Sequence, residues 1–175
     1  MELGAGTGVA GLACAALGAR SVLLTDRPEI LPLLDRNRRR NAWVQTLKGS
    51  EVAVAPLVWT SKSAVFGVLS ELGGRRPDCV VATDVVYSQD HVAPLADTIL
   101  NLIGTEEADL SLCCGRREEE ADLSPLCCGL LACEKKHDPI AYAALLKRLQ
   151  QRGLRIEHYF LSDDRRFEIV LLFRQ

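Results

Sequence analysis

Glu2-Leu3-Gly4-Ala5-Gly6-Thr7-Gly8, the small apolar run Val9 to Leu17, and Ser21-Val22-Leu23-Leu24-Thr25-Asp26 are the stretch that decides the fold. Glycines at the end of a strand let the backbone turn tightly into a helix, and they let a ligand approach where a side chain would block it. Residues 9–17 suit a buried helix, Gly18 can stop it, and SVLLT makes a second strand with an acidic residue at its carboxyl end. Strand, glycine turn, helix and strand open a parallel sheet that carries a nucleotide-type site.

Outward from this unit the apolar pattern keeps alternating short β-like runs with longer helical ones, so the fold class is α/β. Pro28 suits the first turn of a helix running to about Asn41. Glu51 to Val58 holds a third strand interrupted by Pro56, and Lys62 to Leu72 a helix. Gly73-Gly74-Arg75-Arg76-Pro77 is turn chemistry, Asp78 to Thr83 is the best buried strand in the chain, and a helix spans Asp90 to Ile103. Leu154 to Leu161 and Phe167 to Phe173 are strand-like runs joined by a hairpin connection at Ser162 to Arg166, so an antiparallel pair closes the sheet. The expectation is one domain over 1–175, a Rossmann-like, mostly parallel seven-stranded sheet with a C-terminal antiparallel hairpin, flanked by helices.

Two features break the pattern. Only three residues precede Gly4, whereas a central strand usually needs about five, so the first strand reads as truncated and residues upstream are expected to complete it. Glu106 to Gly115 (EEADLSLCCG) and Glu119 to Gly129 (EEADLSPLCCG) repeat one text with Pro125 inserted. One tandem copy is too few for a solenoid, so 104–129 reads as a duplicated insertion loop.

The 21 basic and 23 acidic residues nearly cancel, so no global field calls for nucleic acid or an anionic membrane as partner. There is no apolar stretch of membrane-spanning length and no secretory leader pattern. Seven cysteines, an odd number scattered along the chain, fit a reducing compartment, with the cytoplasm expected and the nucleus also open. The adjacent pairs Cys113-Cys114 and Cys127-Cys128 lack the spacing of a zinc knuckle, and no metal is expected. Four arginines between Arg36 and Arg40 read as the solvated face of a helix, and His91, His137 and His158 lack ligand or catalytic spacing.

Gly6-Thr7-Gly8-Val9-Ala10-Gly11 also spells GxGxxG, and Asp26 lies at a distance suited to a ribose, so the loop alone leaves a dinucleotide and S-adenosylmethionine both open. Glu2 favours the latter, because a carboxylate can meet its cationic end whereas a pyrophosphate gains nothing there. Asp26, at the carboxyl end of its strand, suits both ribose hydroxyls or a helix cap. Trp59 follows the third strand, where its indole either stacks on a purine or seals a helix. Thr83-Asp84-Val85-Val86-Tyr87 ends the fourth strand, where open α/β sheets bind ligands, and there Asp84 and Tyr87 can aim at one substrate group.

With these residues the chain resembles the family-16 protein-lysine methyltransferases, a group that includes the methyltransferase-like-21 enzymes. The motifs that carry the resemblance are ELGAGTG, the TD at Thr25-Asp26, the LVW at Leu57 to Trp59, the DVVY at Asp84 to Tyr87, and Glu134 after a fifth apolar run. The resemblance implies an S-adenosylmethionine-dependent enzyme with that seven-stranded fold. Gly4, Ala5 and Gly6 would line the methionine part, Asp26 would hold the ribose, Trp59 would flank the adenine and Thr83 the pocket. Asp84 and Tyr87 would sit where a lysine of a protein substrate enters. Thr83 stands where the family commonly has alanine, and nothing matches the family's N-terminal tryptophan segment. Transfer of a methyl group to an amine asks for positioning and desolvation, not a protein nucleophile. A monomer is expected. A truncated, catalytically silent binding protein is the second reading, a nicotinamide-dependent oxidoreductase the third, and on composition a small molecule or RNA stays open as acceptor.

Overall fold

The computed structural model describes residues 1–59, 62–104, 128–134, 138–160 and 167–174. Their strands form one seven-stranded sheet. In chain order these are β1 (Glu2–Leu3), β2 (Ser21–Asp26), β3 (Glu51–Pro56), β4 (Cys79–Thr83), β5 (Cys128–Glu134), β6 (Leu154–Phe160) and β7 (Phe167–Arg174). The sheet order is β3-β2-β1-β4-β5-β7-β6. β1 to β5 run parallel to one another, while β7 runs antiparallel to both β5 and β6. The closing pair is thus antiparallel as the sequence indicates, but its second strand inserts between β5 and β6 and leaves β6 at the edge.

Among the described residues six α-helices cover the two faces: α1 (Val9–Ala16), α2 (Leu31–Arg40), α3 (Trp43–Lys48), α4 (Lys62–Glu71), α5 (Val92–Ile103) and α6 (Pro139–Gln151). Strand β2 shows why both faces must be covered. Its Val22 and Leu24 are buried with Leu12, Ala15, Leu34 and Val44 of α1 to α3, while Leu23 between them is buried with Val65 of α4 and Leu95 of α5. Side chains alternate across a strand, so a continuous apolar run is what a strand sandwiched between helix layers requires. In α5, Leu95, Ala96, Ile99, Leu102 and Ile103 form one buried stripe at helical spacing. In α6, Asp138 Oδ1 accepts a hydrogen bond from Ala141 N at 2.8 Å and Pro139 takes the first turn, the two signals that start a helix.

Several boundaries differ from the sequence expectation. The second helix begins at Leu31 with Pro32 in its first turn, because Pro28 is spent in a preceding turn where Ile30 N bonds Arg27 O at 3.0 Å. Past Asn41 the chain starts a separate short helix, α3. β3 ends at Pro56, which has no N–H to continue a ladder. A single 3-10 turn, Gln89–His91, precedes α5. The duplicated stretch up to Cys127 and the hairpin connection Ser162 to Arg166 lie outside the described residues. Among the described residues no helix is long and apolar enough to cross a membrane.

Candidate active site

In this strand order β1 and β4 are neighbours whose crossover connections leave in opposite directions, and open α/β sheets bind ligands in the crevice beyond the carboxyl ends at such a point. The chain leaves β1 through the glycine loop. Gly4 and Gly6 have φ of +58° and +54°, a backbone region that disfavours side chains. A Cβ on Gly4 would also meet Val85 Cγ1 at 3.0 Å and Trp59 Cζ2 at 3.1 Å, whereas space is open at Gly6. Ala5 is buried, and its N–H ties the loop to Thr25 O at 2.9 Å.

Two carboxylates hold this loop. Glu2 is 1% exposed, and its Oε2 accepts the N–H of Gly11 in α1 at 2.9 Å. Burial raises its pKa from the ordinary 4.5 to about 7, with the Gly11 bond opposing the shift. The carboxylate is therefore enclosed under α1, not displayed to solvent, and it sets how the helix seats against β1. Asp26 is only partly buried: its Oδ2 accepts the Gly6 N–H at 2.7 Å and its Oδ1 the Arg27 N–H at 2.7 Å. A carboxylate has about four lone-pair positions, so acceptor capacity remains for hydroxyl groups of a ligand.

On the other side of the crevice, β4 ends at partly buried Thr83, and Asp84 follows with φ +55°. Among the described residues Asp84 is the one non-glycine residue with positive φ. Such a conformation costs on the order of 1–3 kcal/mol and tends to mark functional sites. The Asp84 N–H bonds Ala132 O of β5 at 2.8 Å, which fixes the turn. Val85 and Val86 then anchor the segment in the core, and Tyr87 emerges 54% exposed.

The structure brings one further residue to this point. His91 lies with its ring centroid 4.8 Å from that of Tyr87 and 6.3 Å from that of Trp59, edge-on to the indole. Its Nδ1 is buried with no hydrogen-bond partner among the described residues. Sequence spacing did not select His91, because its link to Trp59 runs across two strands. The one usable signal was its place four residues after Tyr87. Trp59 itself rests against Gly4 and His91, at the β1 and β4 side of the crevice, and its carbonyl accepts from Thr98 Oγ1 at 3.4 Å.

Glycine loop, Asp26, Trp59, Thr83, Asp84 and Tyr87 thus all lie at the carboxyl edge of β1 to β4, while Glu2 lies beneath the loop. His158 is instead paired with Glu168 Oε1 at 2.6 Å, His137 lies outside the described residues, and among those described no group of His, Cys, Asp and Glu suits a metal.

Residues 1–124 match a family model described as lysine methyltransferase. Two curated relatives are the protein N-lysine methyltransferases METTL21A of Danio rerio, 31% identical over 69% of this chain, and of Mus musculus, 30% identical over 70%. The matches cover 51% and 52% of those proteins, so the chain spans about half the length of the curated relatives it matches. Among solved structures, a predicted O-methyltransferase from Agrobacterium tumefaciens shares the fold with a TM-score of 0.59 at 18% identity, covering 99% of this chain and 72% of that one. A human methyltransferase 10 domain-containing protein does so with a TM-score of 0.56 at 12% identity, covering 99% and 69%.

Proposed function

The chain belongs to the lysine methyltransferase family, and from that premise we propose that it is an S-adenosylmethionine-dependent enzyme that methylates a lysine side chain of a cellular protein. One observation carries the reading: Asp26 and the strained Asp84-to-Tyr87 segment face one crevice from β2 and β4, with the glycine loop between them.

The residues present fit the cofactor. The loop backbone at Gly6 is open to approach, a Cβ at Gly4 would crowd the site, and the Asp26 carboxylate keeps lone pairs for a diol. Gly4, Ala5 and Gly6 would hold the amino-acid end, Asp26 the ribose, and Trp59 and Thr83 the walls. S-adenosylmethionine, when bound, supplies an electrophilic methyl group on a sulfonium.

The chain's own residues then have to prepare the acceptor. A lysine amine has a reference pKa of about 10.4 and must shed its proton before it can attack. Trp59, His91 and Tyr87 offer an aromatic wall beside which a cationic side chain is favoured and its water partly stripped. Asp84 would orient the incoming ammonium, and Tyr87 would shape or hydrogen-bond its path. A cytoplasmic location, with the nucleus also open, is proposed from the odd number of scattered cysteines in the sequence.

Calorimetry with S-adenosylmethionine and with reduced nicotinamide dinucleotide tests the reading. The expected result is binding of the former, weakened about tenfold or more by Asp26→Ala, since a carboxylate bound to two hydroxyls contributes about 1.5–3 kcal/mol. Preference for the dinucleotide, or no binding of either, would overturn it, the second outcome favouring a silent binding protein. Methylation of a lysine peptide library then tests the acceptor.

A further inference from the structure

The charge of this chain is unevenly placed. Residues 31–48, which form α2 and α3, carry Arg36, Arg38, Arg39, Arg40 and Lys48 against Asp35, a net +4. The whole chain has a net charge of −2, so everything else carries −6.

Within α2 the arginines divide into two sets. Arg38 and Arg39 converge on Asp35, with Arg38 Nη2 at 2.7 Å from Oδ1 and Arg39 Nε at 2.8 Å from Oδ2. The Arg38 guanidinium holds the Asp35 carboxyl below its usual range. Arg36 and Arg40, both exposed, have no ion pair among the described residues. They stand four residues apart, a spacing at which like charges repel and weaken a helix. Leu33, 38% exposed, precedes them on the same face, and Trp43, 56% exposed, opens α3 three residues beyond Arg40. Pro32, Asp35, Arg36, Arg39 and Arg40 line an open groove there. A solvated helix face needs charge, but it does not need an exposed indole and leucine beside two unneutralised guanidiniums.

We propose that the outer face of α2, with Arg36 and Arg40 as its anions' partners and Leu33 and Trp43 as its apolar ends, is a docking surface for an acidic peptide segment. The proposal rests on the preceding section only in taking the partner to be a protein, namely the substrate around its target lysine. Guanidinium forks pair bidentately with carboxylates, and two free forks match a short acidic segment. A polynucleotide asks for many phosphate contacts in a row, whereas this face offers two free guanidiniums. The helix is also tied to the site, because Asn37 Nδ2 donates to Thr7 O of the glycine loop at 3.0 Å. A segment held on α2 is thereby kept beside the crevice.

Fluorescence anisotropy of the intact chain with a labelled oligoglutamate peptide, and with an oligothymidylate of equal length, tests this. The expected result is oligoglutamate binding that falls about tenfold or more in an R36Q/R40Q double variant. Trp43→Ala should weaken it further, and R36K/R40K should restore part of it. Unchanged circular dichroism and unchanged binding of S-adenosylmethionine would show that fold and cofactor site persist. Absence of oligoglutamate binding, equal binding by R36Q/R40Q, or tighter binding of oligothymidylate would each overturn the proposal. A loss of cofactor binding in the unsubstituted chain would instead count against the methyltransferase reading alone.

Discussion

Replacing Glu2 with glutamine should make the protein's stability less sensitive to pH, and the structure fixes both sign and size. Glu2 is buried beneath α1 and its pKa is raised from 4.5 to about 7, chiefly by burial. The folded protein therefore keeps a proton that the unfolded chain releases. Stability contributed by this group is intact below about pH 4.5, falls as pH rises towards 7, and levels off above that. The full interval corresponds to about 3 kcal/mol. Glutamine keeps a carbonyl oxygen for the Gly11 N–H and cannot ionise, so it behaves like protonated Glu2 at every pH. Urea unfolding of both proteins, followed by tryptophan fluorescence, should give similar stabilities near about pH 4 and a variant more stable by about 3 kcal/mol near about pH 8. A difference that stays constant with pH, or that grows towards acid, would refute the placement of this carboxylate under the helix.

Two other substitutions probe the site's frame. Gly11→Ala in an ordinary helix gains about 1 kcal/mol. Here the new Cβ would run into Leu24 Cδ2 and lie 2.6 Å from Glu2 Oε2. Leu24 is fully buried and has no room to yield, so overpacking should win and urea midpoints should record a net loss of about 1–3 kcal/mol; a stabilised variant would contradict the packing. Asp84→Asn tolerates the positive φ and should leave stability within about 0.5 kcal/mol. It should still lower lysine methylation about tenfold or more, and an unchanged rate would remove Asp84 from the mechanism.

Much of this was written in local pattern. Val22-Leu23-Leu24 is an unbroken apolar run because both faces of β2 are covered, and the glycines of the first loop sit where positive φ demands them. Other parts depended on distance in space. α3 is six residues long, too short for a helical period to register. Helix α6 does carry local signals, Asp138 as its cap and Pro139 at its start. The two runs after Leu154 declare an antiparallel pair, but nothing local says which of them faces β5. At the site, Asp26, Asp84 and Tyr87 are legible from their places at strand ends. His91 and the burial of Glu2 under Gly11 are not, because each depends on which strands become neighbours.

The strand order also sets a timetable for the chain as it is made. β7 is made after the other six strands of the sheet, yet it sits inside it, paired along six residues with β5 and seven with β6. Until residues 167–174 have left the ribosome, β5 and β6 have no common partner, and each presents a bare edge to other chains. The half of the sheet that holds β1 to β4 can form early, but β6 is locked in only by residues 167–174. A chain halted before residue 167 would have its ligand crevice already drawn and its sheet still open.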